Sequence, residues 1–314
     1  MDFDNERESG NIEDQRGQGG LGFGGGGIGG GGGGLGGILG LIFAARGLGI
    51  GLPGLIVIGL GYFLLFGGGL GGGHAPVSQP GASAVGFQPD AAATAPGTPA
   101  SQETQTDRFV RKVLATTEDT WGQVFQASGQ RYEQPKLVLY SGRSRESNSG
   151  CGAAQSAMGP FYCPNDHKVY LDESFFDEMA SRFGVKGQFA DAYVIAHEIG
   201  HHVQNLTGQM DKAKRLGLSE EGANGSQVRI ELQADCYAGV WGNKNQGLLA
   251  PDEWRQALTA ANAIGDDTLQ RSAGRAVTPD SFTHGTSAQR VRWFQRGYES
   301  GDVGACDTYI ANPL

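Results

Sequence analysis

The sequence predicts an α+β domain preceded by a transmembrane helix. The last two thirds of the chain contain short aliphatic and aromatic runs, KLVLY at 136–140 and VYL at 169–171, that are typical of strands. The same region contains stretches with apolar residues every three or four positions, which predict helices. Upstream, residues 47–66 carry no charge, and a run of this length can cross a bilayer as a helix.

The distribution of glycine divides the chain. Of the 314 residues 55 are glycine, and most lie in the first third. Glycine-rich chain loses much backbone entropy on folding and buries no side chains, so no core is expected there. We interpret residues 1–46 as a disordered, Gly-rich tail, 47–66 as the transmembrane helix, 67–105 as a Gly/Pro/Ala-rich linker and 106–314 as the folded domain.

The elements of the folded domain follow from local patterns. A first amphipathic helix runs from Asp107 to about Ser128 and is followed by the two strands, which predict a small, mainly antiparallel sheet. The rest of the domain predicts a helical lobe, with helices at 174–183, 189–205, 226–241, 251–264 and 287–298.

Charge and cysteine content narrow the class of protein. The formal net charge of -9 argues against nucleic acid as a partner. The four cysteines, Cys151, Cys163, Cys236 and Cys306, favour two disulfides in an oxidising compartment, although four buried thiols in a cytosolic enzyme would also fit. Proximity along the chain favours a Cys151–Cys163 pair, which leaves Cys236 for Cys306.

The charges around the apolar segment predict its orientation. Arg46 precedes it directly, and no lysine or arginine occurs between Phe66 and Arg108. The positive-inside rule then places the N-terminus in the cytoplasm and the folded domain outside it. The alternative is a glycine-rich tract with no role in a membrane.

The motif with the clearest chemistry is His197-Glu198-Ile199-Gly200-His201 in the helix predicted at 189–205. His197 and His201 are four residues apart and share one helix face, so both imidazoles can bind one Zn²⁺. Glu198 is turned by about 100° and can act as a general base on water. A helix with surface histidines is the alternative, but the apolar neighbours of the motif disfavour it.

A third zinc ligand is predicted on the helix at 226–241. Glu231 and Asp235 share a face there, so Glu231 can complete a His, His, Glu site that leaves one position for water. Asp235 can accept the outer ring N–H of a ligand histidine. Cys236 is an alternative ligand that faces a different direction.

Two further histidines are weighed as site residues. His284, just before the last predicted helix, is a candidate catalytic donor to the oxyanion that forms during hydrolysis. An arginine of that helix, Arg290 or Arg292, could fill the same role. His202 points away from His201 and is interpreted as a supporting or structural residue rather than a ligand.

These motifs together resemble one known family. HEIGHH at 197–202, ELQADCYAG at 231–239 and THGTSAQRVRWF at 283–294 are similar to the bacterial neutral zinc metallopeptidase family, whose members look like gluzincins. CGAAQSAMGPFYCP followed by KVYLD resembles the strand region of that family. The resemblance extends over nearly the whole chain.

The resemblance implies a gluzincin-like metalloendopeptidase with one Zn²⁺ per chain. It assigns His197, His201 and Glu231 as ligands, Glu198 as base, Asp235 as their support and His284 as transition-state donor. It implies a peptide or protein substrate and a single-pass location in the bacterial inner membrane, with the catalytic domain in the periplasm. Two alternatives stay open: a zinc amide hydrolase of a non-protein substrate, and a non-catalytic, membrane-tethered zinc-binding protein.

Overall fold

A computed structural model describes most of the chain outside its glycine-rich region. The described residues are 2–16, 56–57, 103–141, 147–154, 159–250 and 252–314. They form an α+β fold in which a small sheet lies beside a helical lobe, as predicted.

The first long helix follows from its cap and its apolar stripe. Helix α1 spans Gln105–Ala127, and the Thr104 side chain accepts the Asp107 backbone N–H while the Asp107 carboxylate accepts that of Thr104. This reciprocal pair satisfies backbone donors that a helix start leaves unpaired. One face of α1 is buried against the lobe through Val110, Val113, Leu114, Trp121 and Phe125.

The sheet is mixed, which corrects the prediction of a mainly antiparallel one. Its strands are β1 (Ile12–Asp14), β2 (Ile56–Val57), β3 (Lys136–Leu139), β6 (Phe161–Cys163) and β7 (Lys168–Leu171), and a separate hairpin is formed by β4 (Ser147–Ser149) and β5 (Gly152–Ala154). The order is β1-β3-β7-β6-β2, with β3 parallel to β1 and β7. Strand β6 is antiparallel to β7 and β2. The β3–β7 pair is parallel because the hairpin and β6 intervene between these strands, so the chain re-enters the sheet in its original direction.

Residues 2–16 belong to the fold, so the prediction of a disordered tail is wrong for them. Strand β1 pairs with β3 in the register Ile12 to Leu137, and Phe3 is buried in the core. The charged composition that suggested disorder instead supplies ion pairs to α1 and the sheet. Residues 17–46 lie outside the described residues.

No helix among the described residues is long and apolar enough to cross a membrane. Of the segment predicted to do so, 47–66, only Ile56–Val57 is described, and these residues form strand β2 against β6 rather than part of a helix. The rest of that segment, and the predicted linker up to residue 102, lie outside the described residues.

The helical lobe matches the periodic pattern where the helices are long. It contains α2 (Ser174–Arg182), α3 (Gln188–Leu206), α4 (Gln209–Arg215), α5 (Ser226–Lys244), α6 (Trp254–Ala263), α7 (Asp266–Ser272) and α8 (Ser287–Ser300). Short 3₁₀ turns occur at Gln246–Leu248, Pro279–Ser281 and Val303–Cys306. Helices α4 and α7 were not predicted, because seven residues are too few to display helical periodicity.

Glycines bring three helices of the lobe into close contact. A Cβ on Gly297 of α8 would lie 1.9 Å from the Cys236 carbonyl oxygen of α5, and one on Gly239 would lie 2.1 Å from the Phe294 oxygen. A Cβ on Gly200 of α3 would lie 3.1 Å from the Ala234 oxygen of α5. Helix α5 is therefore held between α3 and α8 at backbone contact, which places polar side chains of all three helices together.

Both predicted disulfides are present. Cys151–Cys163 links the β4–β5 hairpin to β6, and Cys236–Cys306 links α5 to the last 3₁₀ turn. None of the four cysteines is free, so Cys236 is not a metal ligand in this fold.

Candidate metal centre

Three side chains converge where α3 meets α5. The Nε2 atoms of His197 and His201 are 3.1 Å apart, and the Glu231 carboxylate lies 3.2 Å from the first and 3.5 Å from the second. Donor atoms about 2.1 Å from a tetrahedral Zn²⁺ lie about 3.4 Å from one another. The three side chains already have the spacing of zinc ligands, and they form a group able to hold a metal among the described residues.

All three side chains of this trio are buried, which shifts their pKa values. Both histidines are 0% exposed and Glu231 is 2% exposed, so each side chain has lost water as a partner. Burial lowers the pKa of His201 to about 4, which leaves a neutral imidazole able to bind a metal at neutral pH. Burial would raise the pKa of Glu231, but the neighbouring histidines lower it well below its ordinary value.

Asp235 orients His197, as the sequence predicts. The His197 Nδ1 lies 2.9 Å from Asp235 Oδ1, which fixes this nitrogen as the donor and turns Nε2 toward Glu231. The same oxygen accepts the Tyr193 hydroxyl at 2.6 Å. Burial opposes ionisation of His197, but the charges and hydrogen bonds of Asp235 and Glu231 raise its pKa to about 9. A metal bound at Nε2 must therefore replace a proton.

Arg290 completes the support of Asp235. Its Nε and Nη2 donate to the two Asp235 oxygens at 2.9 and 2.8 Å, and the guanidinium is fully buried. This ion pair lowers the pKa of Asp235 against the effect of burial and keeps it charged. The structure thus places Arg290 against Asp235, behind the ligand His197, and Arg292 on the exposed surface of α8.

His201 has its own partner, which sequence reasoning missed. The Gln204 Oε1 lies 2.8 Å from His201 Nδ1, and the Gln204 amide donates to the Ile230 carbonyl and to Gln233 Oε1. Gln233 in turn donates to the Cys306 carbonyl and accepts the Tyr309 hydroxyl. The position of Gln204 three residues after His201 was the available signal, since such pairs share a helix face.

Glu198 is the acid of the site without a side-chain partner. It is fully buried, and no described side chain hydrogen-bonds to its carboxylate, although the Tyr162 backbone N–H favours its charged form. Burial raises the pKa of Glu198 to about 8, which the charge of His197 opposes. A buried acid with such a pKa can take and release protons near neutral pH.

His284 lies near the trio and is held by Asp266, a residue that sequence reasoning missed. Asp266 Oδ1 is 3.2 Å from His284 Nδ1, while its Oδ2 accepts the backbone N–H groups of residues 283, 284 and 285. Burial lowers the pKa of His284, but Asp266 and the charge of Glu231 outweigh it and raise the pKa to about 9. His284 is therefore charged at neutral pH.

The remaining histidines of the fold lie away from the trio. His202 contacts the Tyr162 hydroxyl at 3.1 Å and the Glu133 carbonyl at 2.7 Å, and burial lowers its pKa to about 4. His167 lies beside Glu133 and is partly exposed. His202 thus joins α3 to the sheet.

An α+β fold with two helical histidines, a carboxylate on a second helix and an adjacent buried acid has the donor set of a mononuclear zinc hydrolase. The profile of the family described as "Putative neutral zinc metallopeptidase" matches residues 1–309. The chain belongs to this family, and the resemblance predicted from its motifs is confirmed.

The curated proteins to which the chain is similar are themselves named as uncharacterized proteins. YpfJ of Escherichia coli K12 is 45% identical over 315 residues, which cover 98% of this chain and 99% of YpfJ. Mb2605 of Mycobacterium bovis and Rv2575 of Mycobacterium tuberculosis are each 41% identical over 221 residues, 66% of this chain and 73% of theirs. No solved structure matches the chain.

Proposed function

We propose that the protein is a zinc-dependent endopeptidase that hydrolyses peptide bonds at the His197–His201–Glu231 trio. The observation that carries the proposal is the buried Glu198 carboxylate, which has no side-chain partner, beside three side chains with zinc-ligand spacing. A site that only holds a structural metal needs no such acid next to its ligands, because burying it is costly.

The donor chemistry suits Zn²⁺, which favours imidazole and carboxylate ligands in a tetrahedral set. In this assignment His197, His201 and Glu231 hold the metal, and Asp235 and Gln204 orient the two imidazoles. Bound there, Zn²⁺ would polarise the scissile carbonyl and lower the pKa of a water molecule.

Glu198 carries the proton in this proposal. Its carboxylate takes a proton from the attacking water and delivers it to the leaving amine nitrogen as the C–N bond breaks. A carboxyl with a pKa near neutrality suits both halves of this transfer, since it is neither too weak a base nor too weak an acid.

His284 serves as a donor to the oxyanion. Asp266 occupies its Nδ1 side and raises its pKa, so the ring carries a positive charge at neutral pH. A charged donor fixed in a buried site stabilises a developing oxyanion more than one exposed to water.

The substrate is a peptide or protein, in keeping with the family description. We place the domain outside the cytoplasm, where its two disulfides are stable. Attachment to the bacterial inner membrane stays a prediction from the apolar sequence of residues 47–66, of which Ile56–Val57 lie in strand β2.

Glu198→Gln in the purified protein tests the proposed function. The variant should retain one zinc per chain by elemental analysis and should lose cleavage of casein and a peptide panel. Persistent cleavage would contradict the role of Glu198.

The wild-type protein separates the alternatives. Hydrolysis of cell-wall amides without peptide cleavage would favour the amide hydrolase. Stoichiometric zinc without turnover on either substrate class would favour a non-catalytic zinc-binding protein.

A further inference from the structure

We propose that residues 2–16 are a structural part of the zinc-site domain and lie on the same side of the membrane as that domain. The chain between residues 16 and 103 would then leave and return on one side. This replaces the orientation predicted from the flanking charges, in which a single crossing separates the N-terminus from the domain. It does not depend on the proposed peptidase activity.

The two ends of the intervening chain meet in the structure. The Arg16 guanidinium contacts Asp107, in the first turn of α1, at 2.6 Å and Glu173, at the start of α2, also at 2.6 Å. Arg16 and Asp107 are 91 residues apart in the sequence. Two distant parts of the chain are therefore in direct ionic contact.

A buried carboxylate depends on the N-terminal residues. Glu118 of α1 is 3% exposed, and three residues of the N-terminal segment donate to it: Arg7 at 2.8 Å, Ser9 at 2.6 Å and Asn11 at 2.7 Å. A buried charge without such partners is strongly destabilising. Three side chains of the N-terminal segment thus satisfy one buried carboxylate of α1.

The sheet adds a second, independent contact. Strand β1 extends the sheet beside β3 in parallel, and Glu13 forms ion pairs with Lys136 of β3 at 3.0 Å and Lys168 of β7 at 2.8 Å. Opposite charges on adjacent strands fix the register of β1.

The start of the segment is also anchored. Phe3 is 6% exposed and packs edge-on against Phe109 of α1, with ring centroids 5.6 Å apart. The Asp2 backbone N–H donates to the Leu248 carbonyl at 2.8 Å, and Lys112 donates to the Phe3 carbonyl at 2.8 Å.

These contacts place residues 2–16 on the same side of any membrane as the domain. The hydrocarbon core of a bilayer is about 30 Å thick, so hydrogen-bonded partners must lie on one side of it. The conclusion also holds if the segment docks on a second copy of the chain, because that copy must be on the same side.

Tag accessibility in bacterial spheroplasts tests which side of the inner membrane each end of the chain occupies. The full-length protein carries one short epitope at the N-terminus and a different one at the C-terminus, and spheroplasts are stained before and after disruption of the inner membrane. Both tags should become accessible at the same step. One tag accessible in intact spheroplasts and the other only after disruption would overturn the proposal. A single-pass protein with tagged ends is the control.

A double-mutant cycle tests the docking itself. Arg7→Ala and Glu118→Gln should each lower the melting temperature of the full-length protein by about 2–4 °C, since a loss of about 1 kcal/mol shifts a domain of this size by that amount. Arg7 also bonds Asp119, so the double variant should lose less than the sum of the two single losses. Glu8→Ala, at an exposed neighbouring position, should leave the melting temperature unchanged. Additive losses, or no loss with Arg7→Ala, would show that the segment does not dock on α1.

Discussion

At the scale of single residues, the candidate metal centre depends on side chains that never touch a metal. His197 and His201 have one ring nitrogen toward the centre and the other on a buried partner, Asp235 or Gln204. These partners set the tautomer and the orientation of each ring, so they determine whether the ligand nitrogens point toward the metal centre.

Gln204→Leu should weaken zinc binding because it removes the acceptor from His201 Nδ1. Loss of a hydrogen bond behind a ligand histidine lowers metal affinity about 10–100-fold. Competition with a chromophoric chelator measures this directly. Asn205→Ala is the matched control, since Asn205 contacts Tyr162 and Pro164 instead of the trio, and its affinity should equal that of the wild type. Equal affinities for wild type and Gln204→Leu would show that Gln204 does not orient His201.

Asp266→Asn should move the alkaline limb of the kcat/KM profile to lower pH. Burial lowers the pKa of His284, and Asp266 raises it to about 9, so removing the Asp266 charge lowers the pKa again. The protonated donor is then lost at lower pH: activity should fall most near pH 8 and little near pH 6. Asp267→Asn, whose side chain bonds Ser287 and Arg271, should keep the wild-type limb. If the alkaline limb of the Asp266→Asn profile does not shift, protonated His284 is not required for catalysis.

At the scale of elements, the site exists because α3, α5 and α8 approach to backbone contact. Helices at this distance let the short Asp235 side chain accept hydrogen bonds from both Arg290 and His197. The glycines at the crossings are therefore part of the architecture of the site.

Gly297→Ala should disrupt this contact. The new Cβ would lie 1.9 Å from the Cys236 carbonyl oxygen, so α8 must move away from α5. Such overpacking costs about 1–3 kcal/mol or more, and the shift would also draw Arg290 from Asp235. The melting temperature and the zinc affinity should both fall. Gly122→Ala in α1 is the control, because no atom lies within 4 Å of its Cβ position and alanine there should stabilise the helix. A Gly297→Ala protein as stable as wild type would contradict the close crossing.

The same elements explain what the sequence predicts and what it does not. Long helices such as α3 and α5 repeat their apolar pattern often enough to be recognised, and the ligand spacing lies within a single helix face. Strand β1 is three residues long and mostly charged, so its place in the sheet depends on a partner far away in the chain. Gln204 lies three residues after His201 on the same helix face, so its role has a local signal, whereas the role of Asp266 depends on a tertiary contact with His284.

At the scale of the whole molecule, separate parts of the chain are joined around the lobe. The N-terminal segment joins α1 to the sheet through Glu118 and Glu13. The C-terminal turn joins α5 through Cys236–Cys306, and the carbonyl of Cys306 holds Gln233 in the network that reaches His201. Residues near both ends of the chain are thus bonded to elements of the domain that carries the candidate metal centre.

The two disulfides should therefore differ in their effects when removed. In the chain-entropy account, a link across a separation of 70 residues contributes about 4 kcal/mol and one across 12 residues about 3 kcal/mol. Replacing Cys236 and Cys306 by alanine should reduce the free energy of unfolding more than replacing Cys151 and Cys163. It should also lower zinc affinity, because the Cys306 carbonyl loses its fixed position under Gln233. Denaturant unfolding and chelator competition on both double variants measure the two effects. The Cys151–Cys163 variant is the control and should keep its zinc affinity, since neither of its cysteines belongs to the glutamine network that reaches His201. Equal zinc affinities in both variants would show that the C-terminal turn does not support His201.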